Sequence, residues 1–245
     1  MESQVWIKLS HVNRSFGTQQ VLHDISMQIP RQQICGLLGP SGSGKTTLVK
    51  LIAGIDTASQ GTVHVMGEKM PQFQMLSKLG YMAQSDALYN ELSALDNLIF
   101  FGELYGLRGK PLRARIEEVM SLVNLSEHLH KKIHQYSGGM KRRLSLAISL
   151  LHSPSLLILD EPTVGIDPIL RKSIWKELNR LCTEEGVTIL VTTHVMDEAT
   201  HCDLLGFLRA GHLTAFGSPQ ELMQKADSDS IEEAFLIFGN GGNAS

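Results

Sequence analysis

The sequence predicts an α/β fold with a parallel sheet, a small antiparallel β subdomain and an inserted helical subdomain. First, the apolar run Ile34–Leu38 ends in a glycine-rich turn, and a helical pattern over Lys45–Ala53 follows it. Second, the apolar runs Leu156–Leu159 and Val187–Val191 flank a helical stretch, and a strand-helix-strand order implies parallel pairing. Third, the apolar period becomes helical over about residues 88–150, which predicts the inserted helices.

The N-terminal part of the chain supplies the antiparallel strands. Apolar and polar residues alternate over Val5–Leu9, Val21–Ile29 and Gly61–Met66, which is typical of strands with one buried face. A further short strand is expected at Leu79–Ala83. We therefore expect a small antiparallel layer beside the main sheet.

The helical subdomain begins at a capping-box pattern. Ser93 is followed three residues later by Asp96, which places a helix start at Ser93. A second helix is expected from Pro111 and a third after Gly139.

The C-terminal part continues the α/β pattern. A helix is predicted from about Pro168 to a stop at Gly186, and Asp203–Leu208 with His212–Phe216 should form a hairpin. Ser218 followed by proline predicts a short final helix.

Composition limits the protein class. With 245 residues, 42% hydrophobic and 19% charged, the chain is that of a globular protein, here predicted as one domain over 1–225 followed by a tail over 226–245. A net charge of −3 argues against a nucleic-acid partner, and three cysteines suggest a reducing compartment. The sequence has neither a secretory signal nor an apolar run long enough for a membrane helix, so we expect a cytoplasmic location.

A glycine-rich loop predicts nucleotide binding. It lies between the buried strand and its helix and matches the phosphate-loop pattern G-x-x-x-x-G-K-[ST]. Its backbone N–H groups and the helix N-terminus favour phosphate, while Lys45 would meet the β- and γ-phosphates and Thr46 would coordinate Mg²⁺. The pattern indicates a phosphate-loop nucleotide hydrolase or transferase. The predicted nucleotide-binding residues of the loop are Gly39, Pro40, Ser41, Gly42, Ser43, Gly44, Lys45, Thr46 and Thr47.

Two further motifs indicate the chemistry. The strand Leu156–Leu159 ends in Asp160 and Glu161, which point to opposite faces, so Asp160 can hold Mg²⁺ while Glu161 activates water. Ser137, followed by two glycines at a helix start, is either an ordinary N-cap or a second anion site.

Together these motifs resemble the ATP-binding cassette (ABC) ATPase family. The resemblance implies a P-loop NTPase core of the RecA-like type. The order of the phosphate loop, Gln84, the signature Tyr136–Met140, Asp160-Glu161, the Val164–Asp167 loop and His194 matches the family over about residues 5 to 225. Phe16 stands where the family places an aromatic side chain on adenine. The signature departs from the family's Leu-Ser-Gly-Gly-Gln at its first and last positions, which leaves those flanking contacts uncertain.

The resemblance implies a head-to-tail dimer with two ATP molecules between the subunits. Each ATP would contact Ser137, Gly138 and Gly139 of the other subunit, and Asp167 would link the two sites. Glu161 would be the general base, and His194 would contact the γ-phosphate and hold the geometry of water and base. Gln84, the third implied catalytic residue, would sense Mg²⁺ and the permease contact beside it. The implied metal-site residues are Thr46, Gln84 and Asp160.

The resemblance extends most to ATPases of bacterial drug, antibiotic and polysaccharide exporters. It implies Mg²⁺-dependent ATP hydrolysis, a separate membrane permease as partner, a second copy or a homologous subunit, and a peripheral position on the cytoplasmic face of the membrane. The alternatives are an importer ATPase, a cassette ATPase of ribosomes or DNA repair, and a small-molecule kinase. The run Lys141–Arg143 is interpreted as a solvated basic face, and the role of Ile231–Phe238 stays open.

Overall fold

A computed structural model describes residues 4–85 and 87–239. Ten strands alternate with seven α-helices and four short 3₁₀ segments in this part of the chain. The strands are β1 (Val5–Phe16), β2 (Gln19–Pro30), β3 (Ile34–Leu38), β4 (Gln60–Val65), β5 (Glu68–Lys69), β6 (Leu79–Met82), β7 (Leu156–Asp160), β8 (Thr188–Thr193), β9 (Leu204–Arg209) and β10 (His212–Gly217). The helices are α1 (Lys45–Ile52), α2 (Ala94–Leu104), α3 (Gly109–Leu122), α4 (Gly138–Leu150), α5 (Pro168–Glu185), α6 (Pro219–Ala226) and α7 (Ile231–Gly239).

The strands form two sheets. The antiparallel sheet has the order β2-β1-β4-β5, and its alternating burial pattern explains the period of two in the sequence. The second sheet has the order β10-β9-β3-β8-β7-β6, in which β10 is antiparallel to β9 and the other neighbours are parallel. The predicted α/β class with a small antiparallel layer is therefore confirmed.

The central strands of the parallel sheet are buried on both faces. All residues of β3, β7 and β8 are buried, and two apolar clusters lie on the two sides of this sheet. Burial on both faces explains why these strands are continuous apolar runs in the sequence. Because parallel strands end at one edge, the segments after Leu38, Asp160 and Thr193 come together there.

The inserted helices form as the sequence predicts. Ser93 and Asp96 make the predicted capping box at α2, in which the Ser93 side chain accepts from the Asp96 N–H. The second inserted helix starts at Gly109, two residues before the predicted Pro111, because proline is tolerated in a first helical turn where its missing N–H has no partner. In the described residues, none of the helices combines the length and apolar character that a bilayer crossing requires.

The prediction that the helix after Ser218 is the last one is wrong. The chain forms α7 over Ile231–Gly239, and its Phe235 and Phe238 rings contact Phe207 of β9 at centroid distances of 5.1 and 6.1 Å. The helix therefore packs on β9 through aromatic rings, a contact that its short sequence pattern did not predict. The rest of the predicted tail, residues 240–245, lies outside the described part of the chain.

Candidate active site

The phosphate loop joins β3 to α1 and requires glycine at several positions. Gly42 and Gly44 have φ angles of 77° and 103°, which side chains with a Cβ atom rarely adopt. A Cβ atom on Gly39 would lie 2.2 Å from the Leu208 carbonyl oxygen. Helix α1 begins at Lys45 without a side-chain cap, so its first N–H groups are available to an anion.

Lys45 is held inside the loop. Its side chain is buried, and Nζ donates to the carbonyl oxygens of Gly39 and Pro40 at 2.7 and 3.1 Å. An ammonium group has three donors, so one remains for a phosphate oxygen. Burial lowers the Lys45 pKa, while the carboxylates of Glu161 and Asp160 oppose that shift.

Asp160 has the properties of a metal-site carboxylate. It is fully buried at the end of β7, and its Oδ1 accepts a hydrogen bond of 2.5 Å from the Thr192 hydroxyl. Its Oδ2 is also buried, with no hydrogen-bond partner in the described structure. An unpartnered buried carboxylate oxygen is costly unless a cation or a donor meets it, so the residues present fit the implied Mg²⁺.

The described residues contain no group of three or more His, Cys, Asp or Glu side chains that could hold a metal. This does not argue against Mg²⁺, because this ion is usually bound through one or two carboxylates, waters and substrate phosphates. Asp160 would hold it, with Thr46 and Gln84 as the further predicted ligands.

Glu161 has an unusual backbone conformation. Its φ angle is 53°, which is uncommon for a residue other than glycine and costs about 1–3 kcal/mol at a site of this kind. Its N–H donates to the carbonyl and hydroxyl oxygens of Thr192 at 3.1 and 3.0 Å. Its Oε1 lies 3.3 Å from Nδ1 of His194, whose side chain is half exposed. The backbone turn therefore places the carboxylate beside the end of β8.

One cleft of about 200 Å³ brings several predicted residues together. Gln84 and Glu161, which follow the neighbouring strands β6 and β7, line it together with the phosphate loop. The predicted loop residues that line the cleft are Ser41, Gly42, Ser43, Gly44, Lys45, Thr46 and Thr47. The sequence patterns that lie far apart in the chain thus converge on one anion site with an acidic group opposite it.

The signature residues are not part of this cleft. Ser137 caps α4 by accepting a hydrogen bond of 3.2 Å from the Met140 N–H, and both Ser137 and Gly138 are exposed. A Cβ atom on Gly139 would lie 3.0 Å from the Gly165 carbonyl oxygen. Asp167 likewise caps a helix, α5, through a bond of 3.0 Å from the Leu170 N–H. Within this chain, Ser137 and Asp167 therefore serve as N-caps.

Phe16 lies at the end of β1, half exposed and outside the lining of the cleft. The Arg14 guanidinium covers one face of its ring at 4.4 Å from the centroid, and Asp56 holds Arg14 by two hydrogen bonds of 2.9 and 2.6 Å. The other face is the one on which an adenine could stack.

Two functional candidates were missed at the sequence level. Thr192 binds both Asp160 and the Glu161 N–H, and its signal was a pair of threonines at the end of an apolar strand before His194. Arg142 is only 6% exposed and binds backbone carbonyls next to the site. The prediction that Lys141–Arg143 form a solvated face is therefore wrong for Arg142, because its guanidinium replaces water with carbonyl acceptors.

The chain is similar to known proteins over most of its length. A family model described as ABC transporter matches residues 22–164. The probable multidrug ABC transporter ATP-binding protein YbhF of Escherichia coli (strain K12) is 36% identical over 94% of this chain and 41% of that protein. The chain thus spans less than half the length of that relative. The Nod factor export ATP-binding protein I of Sinorhizobium fredii (strain NBRC 101917 / NGR234) is 38% identical over 99% of this chain and 70% of that protein.

Two solved structures have a similar fold. The dimeric structure of MJ0796, a bacterial ABC transporter cassette, matches with a TM-score of 0.81 and 26% identity, covering 86% of this chain and 98% of that chain. A second dimeric structure of MJ0796, in a post-hydrolysis state with ADP and Pi, matches with a TM-score of 0.79. The fold is therefore that of an ABC transporter cassette, as the resemblance carried by the ordered motifs implied.

Proposed function

This chain belongs to the ABC transporter family, and we propose that it binds and hydrolyses ATP to power export through a separate membrane permease. The observation that carries the proposal is the cleft in which the phosphate loop faces Gln84 and Glu161. A triphosphate in that cleft would have donors around its phosphates and a carboxylate where the attacking water must lie.

ATP binding uses groups that the fold has already oriented. The N–H groups at the start of α1 and the third donor of Lys45 meet phosphate oxygens, and the open face of Phe16 takes the adenine. When bound, Mg²⁺ neutralises charge that develops on the phosphates. Asp160 would hold that ion through its buried Oδ2, with Thr46 and Gln84 as further ligands.

Hydrolysis depends on Glu161 and His194. Glu161 accepts a proton from water as general base, and its backbone is fixed by the two bonds to Thr192. His194, 3.3 Å from the Glu161 carboxylate, holds the geometry of the base and contacts the γ-phosphate.

The second copy supplies the other half of each site. Ser137, Gly138 and Gly139 lie outside this chain's own cleft and form an exposed helix start that suits the phosphates of a partner's ATP. Val164 and Ile169, on either side of Asp167, are 44% and 86% exposed, which suits a surface that another subunit covers. The partner is a second copy of the chain or a homologous subunit.

Export is the direction we propose, with a drug, antibiotic, polysaccharide or lipid-like substrate. The relatives named for multidrug transport and Nod factor export support it. The chain would then lie on the cytoplasmic face of the membrane, held by the permease. The test has two arms, namely Mg²⁺-dependent ATP turnover by the purified chain and identification of the protein that copurifies with it. A copurifying membrane protein of the exporter type is expected; a ribosome in its place would overturn the transport function.

A further inference from the structure

Arg142 occupies an unusual position between the two segments that hold the predicted catalytic groups. It lies on α4, five residues after Ser137, and its side chain is buried. Nη1 donates to the carbonyl oxygens of Ala83 and Gln84 at 2.7 and 2.8 Å. Nη2 donates to the carbonyl oxygen of Glu161 at 2.7 Å and also to that of Asp160. Nε donates to the same Glu161 carbonyl oxygen at 3.2 Å.

These carbonyls belong to separate segments of the cleft. Ala83 and Gln84 follow β6, whereas Asp160 and Glu161 stand at the end of β7, the neighbouring strand. A planar guanidinium with five N–H donors can bind both segments at once. A lysine at this position, with one ammonium group on a flexible chain, could not make the same set of hydrogen bonds. Arg142 thus fixes the distance between the segment of Gln84 and the segment of Glu161.

The contact also bears on the direction of the base. Glu161 has a left-handed φ of 53°, its N–H is held by Thr192, and its carbonyl is held by Arg142. With both peptide groups beside its Cα atom fixed, the direction in which the carboxylate leaves the backbone is determined. A shift of Arg142 would therefore turn the carboxylate that faces the cleft.

We propose that Arg142 is a positioning residue that couples the two ATP sites of the dimer, an inference that rests on the function proposed above. The same helix presents Ser137 to the partner's ATP and Arg142 to this chain's own Glu161 and Gln84. Five residues of α-helix span about 7.5 Å and move as a rigid unit. Docking of the helix start on one ATP therefore adjusts the base at the other.

An arginine at the other end of α4 provides a matched control. Arg115 lies on α3 and also binds backbone carbonyls, those of Leu150 and Leu151, at 2.7 and 3.2 Å. Neither of these residues lines the cleft. A loss of α4 packing alone would affect variants of both arginines, whereas a loss of coupling affects only Arg142.

The test compares R142K and R142M with R115K and R115M in the full chain. For R142K and R142M we expect kcat to fall at least tenfold, nucleotide affinity to stay within twofold, and the Hill coefficient for ATP to approach 1. R115K and R115M should keep kcat and the Hill coefficient within twofold of the parent. Unchanged kcat and Hill coefficient in folded R142K would overturn the coupling, and so would equal losses in R115K.

A second measurement serves if the Arg142 variants do not fold. Hydrogen exchange on E161Q with and without ATP should show residues 82–85, 160–163 and 137–143 gaining protection together, and protection of 137–143 alone would overturn the coupling. Failure of the proposed function is distinguishable, because the parent chain would then lack ATP turnover and E161Q would lack the ATP-dependent dimer.

Discussion

The Nδ1 atom of His194 lies 3.3 Å from the Oε1 atom of Glu161. The two residues are 33 positions apart in the chain and meet because β7 and β8 are parallel neighbours that end at the same edge of the sheet. This pair places a carboxylate and an imidazole beside the phosphate loop.

Replacing Glu161 with glutamine should separate binding from hydrolysis. The amide keeps the shape of the carboxylate but is not a base, so turnover should fall about 100-fold or more while ATP affinity is retained. E161Q should also form an ATP-dependent dimer on size exclusion. Exposed Glu68 of β5 is the control, and E68Q should match the parent. Parent-like turnover by E161Q would contradict the general-base role.

Replacing Lys45 with alanine should weaken nucleotide binding. The change removes a buried cation whose remaining donor faces the phosphate position, and a charge-assisted hydrogen bond contributes about 1.5–3 kcal/mol, or roughly 10- to 150-fold in affinity. Titration with a fluorescent ATP analogue measures the loss. Lys50, exposed in the last turn of α1, gives the control variant K50A, which should bind like the parent. Equal affinities in K45A and the parent would remove Lys45 from the site.

Gly138 offers a test of the dimer that leaves the monomer intact. A Cβ atom on Gly138 meets nothing within 4 Å in this chain, so G138A should unfold at the parent's temperature. In the E161Q background it should nevertheless lose the ATP-dependent dimer, because the added methyl group blocks close approach of the partner's phosphates. G39A provides the contrast and should be destabilised, since its Cβ would lie 2.2 Å from the Leu208 carbonyl oxygen. An undiminished dimer in G138A/E161Q would argue against the signature contact.

The Thr163 hydroxyl should stabilise the segment that follows His194. It donates a hydrogen bond to Oε1 of Glu198, whose side chain is 1% exposed and whose Oε2 lacks a hydrogen-bond partner in the described structure. T163V removes the donor and should lower the free energy of unfolding by about 1–3 kcal/mol in urea titrations. T200V, which alters an exposed hydroxyl bonded to the Asp197 carbonyl, should change it by less than about 0.5 kcal/mol.

His152 should make the folded state sensitive to acid. Burial lowers its pKa, the Leu79 carbonyl accepts from its Nε2 at 3.0 Å, and Tyr105 stacks on the ring at 3.7 Å. The pKa of His152 in the folded state therefore lies below its unfolded value near 6.5. At a pH between these two pKa values the unfolded chain binds more protons than the folded chain. The free energy of unfolding therefore falls as the pH drops through this range.

The variant H152F isolates this effect, since it keeps a stacked ring and cannot be protonated. Below about pH 6.5, the free energy of unfolding of the parent should fall relative to that of H152F. The fall should be at most about 1.4 kcal/mol per pH unit. A difference that does not change between pH 7.5 and 5.5 would contradict the burial argument.

Local patterns in the sequence determined much of the fold. The buried strand Ile34–Leu38, the glycine-rich loop and the capping box at Ser93 were all predicted, because each depends on residues that are close in the chain. The α/β class and the family were also confirmed, and the family prediction rested on several such local motifs in a fixed order along the chain. The roles of the site residues stay predictions, although the structure places the phosphate loop, Gln84 and Glu161 around one cleft.

Tertiary structure alone decided the rest. The guanidinium of Arg142 is buried because four carbonyls from two distant segments surround it, and nothing in the run Lys141–Arg143 distinguishes that arginine from a solvated one. Helix α7 likewise depends on Phe207, which lies 28 residues before Phe235 in the chain and is its ring neighbour in space. Periodicity reports the face that an element buries, but the acceptor or ring that meets a given side chain is fixed only when the sheets and helices pack.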